Sequence, residues 1–234
     1  MRTQLLAALS LLILSPAFAQ DLPATDGAHL EKTKCDRKKA VEKNVTVVST
    51  ADGDTINIKT RSGVYAVRMI GMDTPETHYF GHNQGKWGEV AADRLAEILP
   101  AGTKIRLEFS PSVCDSYGRI LAHIFKGELH VNKVMVKEGL AVNYCMYPSV
   151  AYCEEIGRLA KNAIQKRLGM FVDSNVELPY DFRRRISKRT QTSFVGSLIT
   201  KVVYRPGNQD RTPVDERIFF SSEATVKPPF HVVD

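Results

Sequence analysis

Residues 45–77 read VTVVSTADGDTINIKTRSGVYAVRMIGMDTPET. Three β-branched or alternating runs, Val45 to Val48, Thr55 to Ile58 and Val64 to Ile70, are punctuated by Asp52-Gly53 and Arg61-Ser62-Gly63. Branched side chains suit a pleated surface, and Asp-Gly suits a tight turn, so the stretch reads as a three-strand meander. Downstream, Lys86 to Leu99 carries Val90, Ala91, Leu95, Ile98 and Leu99 at helical spacing, and Pro100 and Gly102 stop it. Lys104 to Phe109 and Ile120 to Phe125 read as two more strands. Val131 to Glu138 is a short helix ended by Gly139. Ala151 to Leu168 is a longer amphipathic helix with Ile156, Leu159, Ala163, Ile164 and Leu168 as its stripe and Gly169 as its cap. Five strands with an inserted helix and helices after the last strand suit a small closed Greek-key β-barrel, of α+β class. The five-stranded oligonucleotide-binding (OB) barrel is the common solution of this size. Strand count alone leaves other small barrels and α+β folds open.

The chain opens with Arg2, an apolar run from Leu5 to Leu14, and Ala17-Phe18-Ala19. That is the pattern of a secretory signal peptide over residues 1–19. The run is about ten residues, too short to span a bilayer, which argues against an uncleaved anchor. Residues 20–42 are a polar arm, 43–172 the barrel domain, and 173–234 a C-terminal extension without an assigned role. The formal charge is +6, and +5 without Arg2. A basic surface favours polyanions, though many exported proteins are basic. The expected mature protein is exported, to a periplasm or the medium, and monomeric. Cys35, Cys114, Cys145 and Cys153 are an even set in an oxidising compartment, with three pairings open. Cys145 with Cys153 closes a short loop and is the first expectation, leaving Cys35 to tie the arm to the core through Cys114. The spacings lack the Cys-x-x-Cys pairs of a zinc site.

Three segments carry chemistry: Asp52-Gly53-Asp54-Thr55, Arg68 through Asp73-Thr74-Pro75-Glu76-Thr77, and Asp115-Ser116-Tyr117-Gly118-Arg119. Asp54 and Asp73 offer the oxygen ligands a hard cation such as Ca²⁺ requires. Gly53 allows a left-handed turn from which Asp54 projects. Pro75 fixes its own φ and restricts Thr74. Glu76 is placed to take a proton from water. Arg68 and Arg119 are permanent cations whose planar forks grip two phosphate oxygens. Taken singly, Asp52-Gly53 is a hairpin turn, Asp73 to Glu76 a helix N-cap, and Tyr117 to Arg119 a turn with an exposed arginine. Their order on the expected strand ends favours a site.

Over about residues 45 to 171, this series resembles the staphylococcal-type thermonuclease family. The resemblance implies an OB barrel with flanking helices that cleaves DNA and RNA with Ca²⁺, leaving 3′-phosphate ends. It implies that the Asp54 and Asp73 side chains and the Thr74 carbonyl hold Ca²⁺, that Arg68 and Arg119 bind phosphate, and that Glu76 is the candidate base. Asp52 matches a further acidic position and acts behind the ligands. Tyr117 is an aromatic candidate for substrate, and the run Tyr144-Cys145-Met146-Tyr147 offers more with its register open, Tyr147 being the one expected to stack on a base of a single strand. The segment from His78 to Trp87 departs from the family pattern. Gly81 and Gly85 disfavour a helix there, so His78 and His82 read as exposed or substrate-facing rather than as a metal pair. Thr200 to Phe230 faintly resembles a small cysteine-bearing module, but no cysteine follows Cys153. Arg183, Arg184 and Arg185 with Lys188 and Arg189 either extend a nucleic-acid footprint or form a solvated charged linker. Two other functional classes stay open: a barrel that binds single strands without cutting, and an envelope interaction protein docking through 173–234.

Overall fold

Strands β1 (Asn44–Asp52), β2 (Thr55–Thr60) and β3 (Gly63–Met69) form the expected antiparallel meander, with Val47 opposite Ile58 and Ile56 opposite Val67. The computed structural model describes residues 32–36 and 42–233, so the expected signal peptide and most of the arm lie outside the described residues. The short β4 (Gly71–Asp73) leads through a loop into helix α1 (Lys86–Ile98). Then come β5 (Lys104–Cys114), β6 (Ile120–Lys126), β7 (Leu129–His130), α2 (Val131–Lys137), β8 (Val142–Met146) and α3 (Cys153–Gln165). The C-terminal segment adds α4 (Pro179–Ser187), β9 (Phe194–Ser197), β10 (Val202–Tyr204), β11 (Arg217–Phe220) and β12 (His231–Val233).

β5 pairs with β1 and with β6, and β6 returns parallel to β3, which closes five strands into a mixed barrel. Alternation explains the filling. Tyr65, Val67 and Met69 of β3 are buried while Ala66 and Arg68 between them are only half-buried. Ile56, Ile58, Leu107, Ile120 and Ile124 join them in one core. Each such side chain contributes roughly 1.5–3 kcal/mol by leaving water. α1 adds Ala91, Leu95 and Ile98. Val90, read into the same stripe, is 41 % exposed, because the inward face runs 91, 95, 98 and leaves its neighbour outside.

Beyond the barrel, β8 pairs antiparallel with β4 and parallel with β11, which pairs with β9, then β10 and β12. β9 to β12 of the C-terminal segment therefore share a sheet with β4, the strand that ends in Asp73. Within that sheet, β9 and β10 form an antiparallel hairpin, and β11 adds to the other side of β9. Both expected disulfides are formed: Cys145–Cys153, and Cys35–Cys114, which fixes residues 32–36 beside β3. Among the described residues no helix is long and apolar enough to cross a membrane.

Two buried imidazoles give the fold a pH dependence. His130 and His123 share a hydrogen bond of 3.2 Å between ring nitrogens. Phe125 stacks on His130 at 4.4 Å, and Tyr152 meets both rings edge-on. Burial lowers the pKa to about 4 for His123 and about 3 for His130, with Lys133 adding to both and Glu108 opposing at His123. The fold holds both rings neutral, whereas the unfolded chain takes protons below the ordinary value of about 6.5. Stability is therefore full above pH 6.5 and is lost as pH falls from 6.5 towards 4 and 3. Between pH 7.5 and 5 the loss is on the order of 2 kcal/mol per ring, and His130→Gln should flatten the pH dependence of the urea midpoint. A midpoint that falls as steeply in the variant would remove this assignment. Loop closure makes a second expectation. Replacing Cys35 and Cys114 by Ser should lower unfolding free energy by about 4.5 kcal/mol, against about 2.5 kcal/mol for Cys145 and Cys153. The bonds span 79 and 8 residues of separation, and urea titration of each double variant would reveal a reversed order.

Candidate active site

The turn from β1 to β2 presents Asp54 at the barrel rim. Its own N–H donates to Asp52 Oδ1 at 3.0 Å, and the Thr55 hydroxyl donates to Asp54 Oδ1 at 3.1 Å. Gly53 is required for space and not for a left-handed φ. A Cβ there would lie 2.7 Å from both Ala91 Cβ and Thr74 Oγ1, and Gly53 is absent from the positive-φ glycines. This corrects the left-handed turn expected from the sequence. The close approach lets the Thr74 N–H donate to Asp54 Oδ2 at 3.1 Å, across 20 residues of sequence. Asp54, Asp73 and Thr74 are all buried, at 3 %, 0 % and 2 % exposure.

Arg68, on the outer face of β3, bridges the two aspartates. It pairs with Asp54 Oδ2, and its Nη2 donates to Asp73 Oδ1 at 2.5 Å. Two carboxylates that one guanidinium can span are close enough to share a small hard cation. Among the described residues no three His, Cys, Asp or Glu side chains gather as a metal cage. The side-chain donors are thus two carboxylates, and carbonyl oxygens such as that of Thr74, with water, would complete a shell. The donor chemistry fits Ca²⁺ or another oxygen-seeking divalent ion.

Glu76 is fixed by its loop. The Gln84 N–H donates to the Glu76 carbonyl at 2.9 Å, and the Glu76 N–H donates to Gln84 Oε1 at 3.1 Å. Gly88 of α1 lies against the same backbone, where a Cβ would come within 2.7 Å of the Glu76 carbonyl oxygen. Burial pushes the Glu76 carboxyl above its usual range, and Arg183 opposes the shift. Burial likewise raises Asp52, against Arg68. Arg119 is aimed by Asp115, whose carboxylate accepts from Arg119 Nε at 2.7 Å and from its backbone N–H at 2.8 Å. His78 stands at the cleft rim and His82 is exposed, on a two-residue turn in which Phe80 and Gly81 both have positive φ.

The largest addition to the sequence reading is Arg183 of α4. Its guanidinium donates to both Asp73 oxygens, at 2.9 and 2.7 Å, and to Glu76 Oε1 at 2.5 Å. Below it, Tyr144 stacks on Tyr180 at 5.6 Å, and Phe219 packs on both. The sequence shows Arg183 only as one member of a basic run; Gln84 and Gly88 carry no visible mark. A cleft of about 740 Å³ joins Asp54, Arg68, Glu76, Arg119 and Arg183. Tyr117 lines it and is 72 % exposed. Tyr147 does not: it lies just past the end of β8, half-buried, with its ring stacked on Phe220 of β11 at 5.4 Å, while Tyr144 within β8 lines the cleft.

A family model described as staphylococcal nuclease homologue matches residues 66–173. Thermonuclease of Staphylococcus hyicus is 36 % identical over 124 residues, covering 53 % of this chain and 73 % of the relative. Endonuclease YhcR of Bacillus subtilis (strain 168) is 32 % identical over 183 residues, 73 % of this chain and 15 % of the relative. SPbeta prophage-derived endonuclease YokF, from the same organism, is 31 % identical over 149 residues, 63 % of this chain and 50 % of the relative. The chain thus spans half or less of the length of these two Bacillus relatives.

The packing of Gly88 on the Glu76 backbone can be tested. Alanine in a helix interior is ordinarily about 1 kcal/mol better than glycine. Gly88→Ala should instead destabilise, by roughly 1–3 kcal/mol, as overpacking does. A higher urea midpoint for the variant would show that α1 does not set the position of Glu76.

Proposed function

The chain belongs to the staphylococcal nuclease family, and from that membership we propose that it hydrolyses phosphodiester bonds of DNA and RNA with Ca²⁺ as cofactor. The observation that carries the reading is the single Arg68 guanidinium spanning Asp54 and Asp73, beside Glu76 and facing the same cleft as Arg119. Pure binding has no use for these carboxylates, which repel phosphate on their own.

Asp54, Asp73 and the Thr74 carbonyl would hold Ca²⁺. When bound, the ion would supply Lewis-acid polarisation of the phosphoryl oxygens and orientation of water. Arg68 and Arg119 bind non-bridging oxygens of the phosphate and hold the charge that grows in the transition state. Donors placed in this way are commonly worth about 2.7–4 kcal/mol each. Glu76 accepts the proton of the attacking water, and the burial that raises its pKa makes its carboxylate a stronger base than that of an exposed glutamate. The bond to the 5′ oxygen breaks, which leaves a 3′-phosphate. Contacts that go to phosphate carry little sequence information, so cutting should be nearly indifferent to sequence. Tyr117, and Tyr144 in place of Tyr147, offer aromatic surface to an unpaired base, which favours single strands. The signal-like residues 1–19 and the two disulfides support export, to a periplasm or the medium.

The test is cleavage of a labelled single-stranded DNA by wild type and Glu76→Ala, with Ca²⁺ and with EDTA. Wild type should cut only with Ca²⁺, and loss of the base should slow it by about 10²–10⁴-fold. Binding without cutting by wild type in Ca²⁺ would sink the reading in favour of a single-strand-binding barrel.

A further inference from the structure

We propose that Arg183 and Arg189 hold substrate phosphates, which makes the segment from Tyr180 to Ser193 the second wall of a nucleic-acid groove. The proposal deepens the nuclease reading and rests on it. One wall of the cleft is the barrel rim, with Asp52, Asp54 and Glu76. The other comes from α4 and the loop after it, including Arg183, Arg189, Thr190 and Thr192.

Charge decides that the second wall is needed. The barrel brings four carboxylates to the site, Asp52, Asp54, Asp73 and Glu76, and two arginines, Arg68 and Arg119. A divalent cation would only neutralise that balance, and Arg119 is also shared with Asp115. An incoming phosphodiester would then meet no net attraction. Arg183 and Arg189 supply it.

Each is placed for a different phosphate. Arg183 already reaches Asp73 and Glu76, the groups around the reacting phosphorus, so a phosphate held there lies within its span. Arg189 is exposed and has no carboxylate partner among the described residues. Its backbone is set: Lys188 ends α4 at φ 52°, and the Arg189 N–H donates to the Arg184 carbonyl at 3.1 Å. That left-handed cap turns the chain off the helix and along the cleft. α4 itself is anchored, since Arg217 donates to the Tyr180 hydroxyl at 2.8 Å and Phe182 is buried. Arg184 also lines the cleft, but its partners Asp181 and Gln209 belong to the C-terminal segment and not to the carboxylates of the barrel rim, and it serves as scaffold. The groove therefore takes a strand of several nucleotides, with Arg183 at the reacting phosphate and Arg189 at a neighbouring one.

The experiment uses the full chain and a fluorescein-labelled octathymidylate with phosphorothioate linkages, charged like DNA and slow to be cut. Anisotropy is followed over a salt series, in Ca²⁺ and in EDTA, for wild type, Arg183→Gln and Arg189→Gln. A lost phosphate contact on a single strand should reduce the slope of log K against log salt by about 0.7. Each variant should show that reduction in Ca²⁺, with binding weakened about tenfold at low salt. If Arg183 is only a structural partner of Asp73, its variant will keep the full slope, and the Arg183 contact is overturned. Arg189→Gln touches no packing and keeps the test valid if the other variant fails to fold; a full slope there overturns the second wall. Wild type that binds with a slope both variants reduce, yet never cuts ordinary DNA in Ca²⁺, would remove the nuclease reading and leave the groove standing.

Discussion

Two carboxylates that are almost wholly buried at the rim of a β-barrel govern this structure. Asp73 and Asp54 are 0 % and 3 % exposed, and an unpaired buried charge is worth several kcal/mol of destabilisation. The chain answers with cations. Arg68 spans both, and Arg183 takes both oxygens of Asp73. Much of the surrounding sequence serves that arrangement. Gly53 yields the space that lets the Thr74 amide reach Asp54, and Gly88 yields the space for the Glu76 backbone. A buried, prearranged anionic pair is costly to hold in place, and here side-chain cations and close backbone contacts share that task.

The second sheet links this site to the C-terminal segment. β4 ends in Asp73 and pairs with β8, β8 pairs with β11, and β11 pairs with β9. Gly157 of α3 lies against the Asp215 carbonyl, where a Cβ would approach to 2.5 Å, so the segment is also seated on a barrel helix. Trp87 Nε1 donates to Asp173 at 2.6 Å, and Gln84 Nε2 donates to the Glu177 carbonyl at 2.7 Å. The Glu76 loop is thus held from both sides, by the barrel helix and by the segment that delivers Arg183. Residues 173–234 are part of the frame of the cleft.

The meander, α1, α2 and α3 were legible because each carries its own period. Val64 to Ile70 alternates, and Ala91, Leu95 and Ile98 repeat along a helix face. β4 and β8 were not, because three and five residues are too short for a period to emerge. The pairing of β8 with β11 joins Cys145 to Ile218, and no local pattern encodes a parallel partner so far along the chain. Tyr144 and Tyr147 look equivalent as letters. The docking of β11 separates them, leaving Tyr144 on the cleft and stacking the half-buried Tyr147 on Phe220.

The sequence by itself determined which side chains the cleft would bring together: the carboxylates of Asp54, Asp73 and Glu76 and the guanidinium groups of Arg68 and Arg119, at the ends of recognisable strands. It did so because turn residues and strand periods are local, and the reactive side chains sit within a few residues of them. The tertiary structure alone decided that Gly53 stands where it does for lack of room, that Tyr144 faces the cleft, and that Arg183 enters the site from 110 residues beyond Asp73. Those outcomes depend on which distant surfaces meet, and burial of apolar area in the assembled sheet, not any local preference, selects that meeting.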